Sequence, residues 1–169
     1  MNNLFTILIT SLTLITTTTC SNAQVNSKAY GVMLNSLLSH SVPEITTDSA
    51  AKIVDLATFI DARETNEYKV SHIKNAINVG YDELNLAALD SIDKSTPIVV
   101  YCSVGYRSEK VTEKLIQKGF TNVSNMYGGI FEWSNDEYPL YNGDVLTKNI
   151  HAYNRVWGQW IKTGVKIYE

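Results

Sequence analysis

Polar and apolar positions along this chain follow two different periods, and the change from one to the other marks out its elements. "TFIDAR" (58–63), "PIVVY" (97–101) and "NVSNM" (122–126) read as short strands, the first ending in charged residues. The second is a continuous apolar run, which suits a parallel strand covered on both faces. Helical spacing separates them. "NSKAYGVMLNSLLSH", from Asn26, puts Ala29, Met33 and Leu37 on one face. "DSAAKIVDLA" opens on Asp48, a favourable acid for a helix N-terminus. "VPEITT" before it reads as a short extended piece, because Pro43 pushes its neighbour toward the β region. "ETNEYKV" predicts a short helix, and "YDELNLAALDSI" a further one with Leu84, Ala87, Leu89 and Ile92 as its apolar positions. "SEKVTEKLIQKGF" is amphipathic, with Val111, Leu115 and Ile116 facing inward and Gly119 at the position of a C-terminal cap. "YGGIFEW" turns through Gly128-Gly129 into a last short helix. Strands alternating with helices predict an α/β domain with a mainly parallel sheet and right-handed crossovers.

The two ends lie outside this alternation. Leu4 to Thr16 is an apolar, Thr-rich run, short against the ~20 residues that span a bilayer and of the length of a signal-peptide core. Ser21-Asn22-Ala23 gives a small-x-small cleavage site before Gln24. Lipidation of Cys20 is the other export route, although Thr19 fits it poorly and no Lys or Arg precedes the apolar run. A buried first helix is the bland alternative, disfavoured by the poor helix material of Thr16 to Thr19. Export to the periplasm or envelope is therefore expected, with membrane attachment only through Cys20. Beyond Tyr141, "NGD" marks a turn, and "NIHAYNRVWGQWIKTG" reads as a short aromatic helix in an arm packed on the domain. The expected organisation is a signal peptide at 1–23, an N-terminal helical arm at 24–43, the α/β domain at 44–142 and a C-terminal aromatic arm at 143–169.

Composition narrows the function classes. With 169 residues, 44% hydrophobic and 18% charged, the chain suits one globular domain with a real core. A net charge of −3 gives no nucleic-acid footprint. The four Lys or Arg and one acid from Val145 onward are too few for such a patch, even with Trp157 and Trp160 among them.

The chemistry points to "VVYCSVGYRSEK" (99–110). Cys20 is removed or lipidated on export, so Cys102 has no partner for an intramolecular disulfide, and a lone exported thiol reads as reactive. Cys102 stands where the apolar strand ends, the edge at which parallel sheets bind ligands. A curled turn of Ser103, Val104, Gly105 and Tyr106 would converge its amides on one spot. The following helix adds a positive N-terminus, and Arg107 a planar, always-charged fork. These features favour a nucleophilic thiolate. The competing reading is a small core hydrophobe at a strand end.

Three segments then resemble the rhodanese family. "YCSVGYRS" is similar to its active-site loop, Cys-x-x-Gly-x-Arg followed by a small residue. "IDARETNEYKVSHIKNAINV" is similar to its upstream signature, and "VSNMYGGIFEWSNDEYPL" to its closing Gly-Gly-x-x-x-Trp and Tyr-Pro-Leu. Ser71 and Asn75 replace two usual glycines, which affects local turns rather than chemistry. The resemblance implies a three-layer domain with a five-stranded parallel sheet, and sulfur transfer through a persulfide on Cys102. The donor would be a small sulfur compound, thiosulfate or a persulfide, and the acceptor cyanide or a thiol; neither a metal nor an organic cofactor is called for. Arg107 and the loop residues Ser103 to Tyr106 would bind substrate, with Val104 and Tyr106 at the pocket mouth. Asp61, Arg63 and Ser108 would support the loop, His72 would be a structural hydrogen-bonding group and Trp133 core. Two rivals remain open. A phosphatase of related fold has five residues between Cys and Arg, against four here. A non-turnover module would bind or relay a persulfide. The absence of Cys-x-x-Cys excludes a thioredoxin-like reading.

Overall fold

A computed structural model describes residues 24–168, so the apolar run of residues 4–16 and Cys20, with the export reading that rests on them, lie outside the described residues. The chain forms α1 (Lys28–Leu37), β1 (Glu44–Ile45), α2 (Thr47–Ala51), β2 (Thr58–Asp61), α3 (Thr65–Val70), β3 (Ile77–Asn78), β4 (Ile98–Tyr101), α4 (Tyr106–Gln117), β5 (Val123–Met126) and α5 (Gly129–Asn135). The five strands make one parallel sheet in the order β1-β5-β4-β2-β3, with helices on both faces. Central β4 is buried at every residue, which is why it carries no polar position. Its alternation sorts side chains between two cores. Val99 and Tyr101 join α1, α2 and α5 on one face; Ile98, Val100 and Cys102 join α4 on the other.

Four helical expectations change in detail. On α1 the buried line is Tyr30, Leu34 and Leu38, one position out of phase with Ala29, Met33 and Leu37. Tyr30 can fill the interior because its hydroxyl donates to the Gly128 carbonyl at 2.8 Å. On α4 the buried stripe runs Ser108, Val111, Thr112, Leu115 and leaves Ile116 42% exposed. Between residues 83 and 93 only one 3-10 turn forms, Ala87–Leu89. The Asn85 side chain accepts from the Ala87 amide at 3.0 Å and competes there with helical bonding. Likewise α2 stops at Ala51 and continues as turns rather than a long helix.

The C-terminal arm is not a helix. An antiparallel hairpin leads into it from the end of the domain, β6 (Leu140–Asn142) and β7 (Val145–Thr147), turning at Gly143 with φ 57°. A parallel pair follows, β8 (Asn149–His151) and β9 (Val165–Ile167), bridged by the 3-10 turn Trp157–Trp160. His72 and Tyr141 exchange backbone bonds at 2.8 and 2.9 Å, which docks the hairpin, and β8 lies against α3. Ile150, Ala152 and Ile161 are buried in the same core as Tyr30 and Trp133, and Trp160 stacks on Tyr30 with ring centroids 5.2 Å apart.

Candidate active site

Cys102 follows β4, and the next three residues curl so tightly that Gly105 takes φ 117°, a region open to glycine at little cost. The curl is held from two sides. Asn125 of β5 and the Ser108 hydroxyl both donate to the Gly105 carbonyl at 3.1 Å. From behind, the Ile130 and Phe131 amides of α5 donate to the Cys102 and Ser103 carbonyls at 2.8 and 3.1 Å. That approach leaves no room at Gly129, where a Cβ would sit 2.5 Å from the Cys102 carbonyl oxygen. Gly128-Gly129 is therefore the seam that lets α5 pin the loop. Inside the curl the Gly105 amide donates to Cys102 Sγ at 3.2 Å.

Arg107 opens α4, and its fork already holds a carboxylate. Nη1 and Nη2 donate to the two Glu67 oxygens at 2.7 and 2.9 Å, and Nη2 also donates to Ser103 Oγ at 3.0 Å. The Ser103 hydroxyl in turn donates to Glu67 at 3.2 Å. Glu67 is buried. Burial pushes its carboxyl up, but the Arg107 hydrogen bonds and charge, with Arg63 behind, outweigh that and hold it below the usual carboxylate range. Arg107 is raised in its turn: against its own desolvation stand the Glu67 hydrogen bond and the electrostatic attraction of Cys102. His151 Nδ1 of the C-terminal arm lies 3.8 Å from Glu67.

Sequence reasoning missed Glu67. Its position explains why: it stands three residues after Glu64 at the start of α3 and accepts from the Glu64 amide at 3.1 Å, the capping arrangement such spacing ordinarily signals. The same carboxylate reaches across to the loop.

Asp61 and Arg63 form a fully buried pair at 2.6 Å away from the cavity, and Arg63 also donates to the Ser71 carbonyl at 2.7 Å. They tie the end of β2 to the segment after α3. His72 stacks on Tyr68 and shares a hydrogen bond with the Tyr68 carbonyl, while Trp133 is core. Asn75 supplies the left-handed turn of the glycine it replaces, with φ 59°. Ser71, at φ −167°, is ordinary extended backbone.

A cavity of about 360 Å³ opens over Cys102. Of the loop residues expected to bind substrate, Ser103, Val104, Tyr106 and Arg107 line it and Gly105 does not; Leu37 of α1 and Tyr153 and Trp157 of the C-terminal arm line it too. Asp61, Arg63 and Ser108 do not face it. Among the described residues no group of three or more His, Cys, Asp or Glu side chains is placed to hold a metal ion.

This frame matches known proteins. Curated relatives include the tRNA uridine(34) hydroxylase of Hamiltonella defensa, 39% identical over 102 residues, 57% of this chain and 27% of that protein. The tRNA uridine(34) hydroxylase of Yersinia enterocolitica is 41% identical over 81 residues, 45% of this chain and 23% of that protein. The chain thus spans about a quarter of the length of these relatives. Among solved structures, a rhodanese-related protein from Thermoplasma volcanium superposes with a TM-score of 0.54 at 28% identity, covering 59% of this chain and 98% of that one. A thiosulfate sulfurtransferase from Pseudomonas aeruginosa shares the fold, with a TM-score of 0.56 at 23% identity over 83% of this chain and 27% of that one. The family model for the rhodanese-like domain matches residues 46–136, and the chain belongs to that family.

Proposed function

We propose that this chain is a sulfurtransferase that carries a sulfane sulfur as a persulfide on Cys102. One observation carries the reading: the Cys102 sulfur sits at the C-terminal end of a parallel strand, under a cavity, within a curled loop whose Gly105 amide donates to it. In the first step the thiolate attacks the outer sulfur of a donor. With thiosulfate the S–S bond breaks, sulfite leaves with the electron pair, and Cys102 keeps the transferred sulfur. In the second step a thiolate or cyanide attacks that terminal sulfur, and Cys102 leaves as thiolate. Both are displacements at sulfur and need no outside oxidant or reductant. The Gly105 amide would stabilise the charge on Cys102 at the start and end of the cycle.

The hydroxylase activity named for the curated relatives belongs to much longer chains, and sulfur transfer asks only for the loop and cavity found here. We therefore keep small sulfur compounds and thiols as partners, without nucleic acid. Export is part of the proposal, supported by the apolar run of residues 4–16 and the Ser21-Asn22-Ala23 site. The N-terminal sequence of the protein from its host tests that directly: Gln24 means cleavage, a lipidated Cys20 means an anchor, and an intact Met1 refutes export.

Intact-mass measurement tests the chemistry. The protein should gain one sulfur atom from thiosulfate or a low-molecular-weight persulfide and lose it to cyanide or a thiol. Cys102→Ser should do neither. Multiple turnover separates an enzyme from a relay module, and wild-type sulfur transfer by the serine variant would sink the assignment.

A further inference from the structure

Three of the side chains around Cys102 come from outside the segment shared with the family, 46–136: Leu37 at the end of α1, and Tyr153 and Trp157 in the C-terminal arm. The aromatic pair is built in rather than loosely appended. The Asn154 side chain accepts from the Val156 and Trp157 amides at 2.9 and 3.0 Å, and its carbonyl from the Gly158 amide at 2.8 Å. The Tyr153 amide donates to His151 at 3.2 Å, and the Ala152 amide to Ile167 at 2.7 Å. Tyr153 itself is held at φ 62°, a left-handed conformation that is costly for a bulky residue and recurs where a fold aims a side chain at a ligand. Its ring lies against Arg107, 5.4 Å from guanidinium carbon to ring centroid.

The charges around the cavity are as telling. Arg107, the one cation lining it among the described residues, is already paired with Glu67, while Glu64 and Asp82 add carboxylates to the wall. The wall that an acceptor meets is therefore aromatic and acidic. The cavity, of about 360 Å³, is of the size that takes small organic ligands.

Building on the sulfur-transfer reading, we infer that the acceptor at this site is a neutral or cationic organic thiol with an aromatic or comparably flat apolar body, seated between Tyr153, Trp157, Leu37 and Tyr106. Its thiolate attacks the outer sulfur of the Cys102 persulfide. The S–S bond breaks, Cys102 leaves as thiolate, and the product is the organic persulfide.

The experiment has two arms. In the first, protein preloaded with sulfur is discharged by 2-phenylethanethiol and by 2-mercaptoethanesulfonate, in the wild type and in Trp157→Ala and Tyr153→Ala; comparing ratios between proteins cancels the intrinsic reactivity of each thiol. The ratio of aryl to sulfonate rates should fall about tenfold in the variants, the scale of one or two aromatic contacts. An unchanged ratio, or a wild type that favours the sulfonate, overturns the inference. In the second, binding of the unreactive 2-phenylethanol is followed by ligand-observed NMR. It should bind the wild type and weaken about tenfold in Trp157→Ala; no binding, or equal binding, overturns the inference. If Cys102 accepts sulfur from no donor, the sulfur-transfer reading is what fails, and the binding arm still decides whether the arm residues make an aromatic ligand site.

Discussion

Arg107 grips the Glu67 carboxylate and lies close enough to the sulfur of Cys102 to interact with it electrostatically. A substrate anion that used the fork would have to share it with Glu67 or displace it. Arg107 therefore positions Ser103 and the loop as well as setting the local charge, and Arg107→Lys, which keeps the charge and loses the bidentate fork, should slow sulfur loading. Unchanged loading kinetics would show the fork to be irrelevant. Removing Glu67 leaves a desolvated arginine beside the sulfur. Glu67→Ala should cost about 3–5 kcal/mol in chemical denaturation, the scale for breaking one side of a buried pair. The double variant with Arg107→Ala should lose less than the two single losses combined. The pH dependence follows from the lowered Glu67 carboxyl. Its stabilising share is fully present above the unfolded carboxylate value of about 4.3 and is lost as pH falls through the lower folded value. Acid unfolding below about pH 4.3 should thus be less steep in Glu67→Gln than in the wild type; identical acid profiles would contradict the pairing.

At the scale of elements, α5 and the Cys102 loop behave as one unit, because Ile130 and Phe131 satisfy the loop carbonyls. Gly129→Ala would place a methyl 2.5 Å from the Cys102 carbonyl oxygen, while at Gly119 an added methyl meets nothing within 4 Å. Both substitutions bear the left-handed penalty of about 1 kcal/mol; only the first forces α5 off the loop. Gly129→Ala should cost at least about 1–3 kcal/mol more than Gly119→Ala and lose most sulfur loading, as denaturation and intact mass would show. The sheet itself was legible in the sequence because β2, β4 and β5 are short segments set off from their helical neighbours by charge or turn residues, and β4 is a continuous apolar run. So was the Cys102 loop, whose glycine and arginine fall where a strand gives way to a helix. The phase of α1 was not legible: Ala29, Met33 and Leu37 are as apolar as the true buried line, and the choice is made by Tyr30 reaching the distant Gly128 carbonyl. The pairing of β8 with β9 is non-local too, and the intervening Trp157–Trp160 turn has the composition of a short helix. Glu67 was hidden by an ordinary capping role, and only the fold reveals that it faces Arg107.

At the scale of the molecule, the two arms complete both the core and the site. The matched domain begins at residue 46, yet Tyr30, Leu34 and Leu38 are buried in the main core at 1%, 0% and 5% exposure. The N-terminal arm is also stitched on by polar contacts: the Asn26 amide donates to Glu132 at 2.7 Å, and the Ser39 and Ser41 amides donate to Glu109 at 3.0 and 3.1 Å. Burying three large side chains is worth up to about 5–9 kcal/mol by area, a large part of the roughly 5–15 kcal/mol by which a domain of this size is stable. A chain starting at Gln24 retains every one of these contacts and should unfold cooperatively at a single denaturant midpoint. A chain starting at Glu44 should unfold at a much lower midpoint or fail to stay soluble, although it contains the whole region matched to the family. Equal midpoints for the two would show that the arm adds nothing to the fold. The same cut removes Leu37 from the cavity wall, and with it the Leu38 side chain, whose nearer methyl would lie 3.5 Å from a Cβ added at Gly105. The shorter chain, where it can be kept folded at low temperature, should therefore also load sulfur more slowly. That loss should persist under conditions where circular dichroism shows full native structure, because it arises from an open cavity and an unsupported loop rather than from the unfolded fraction.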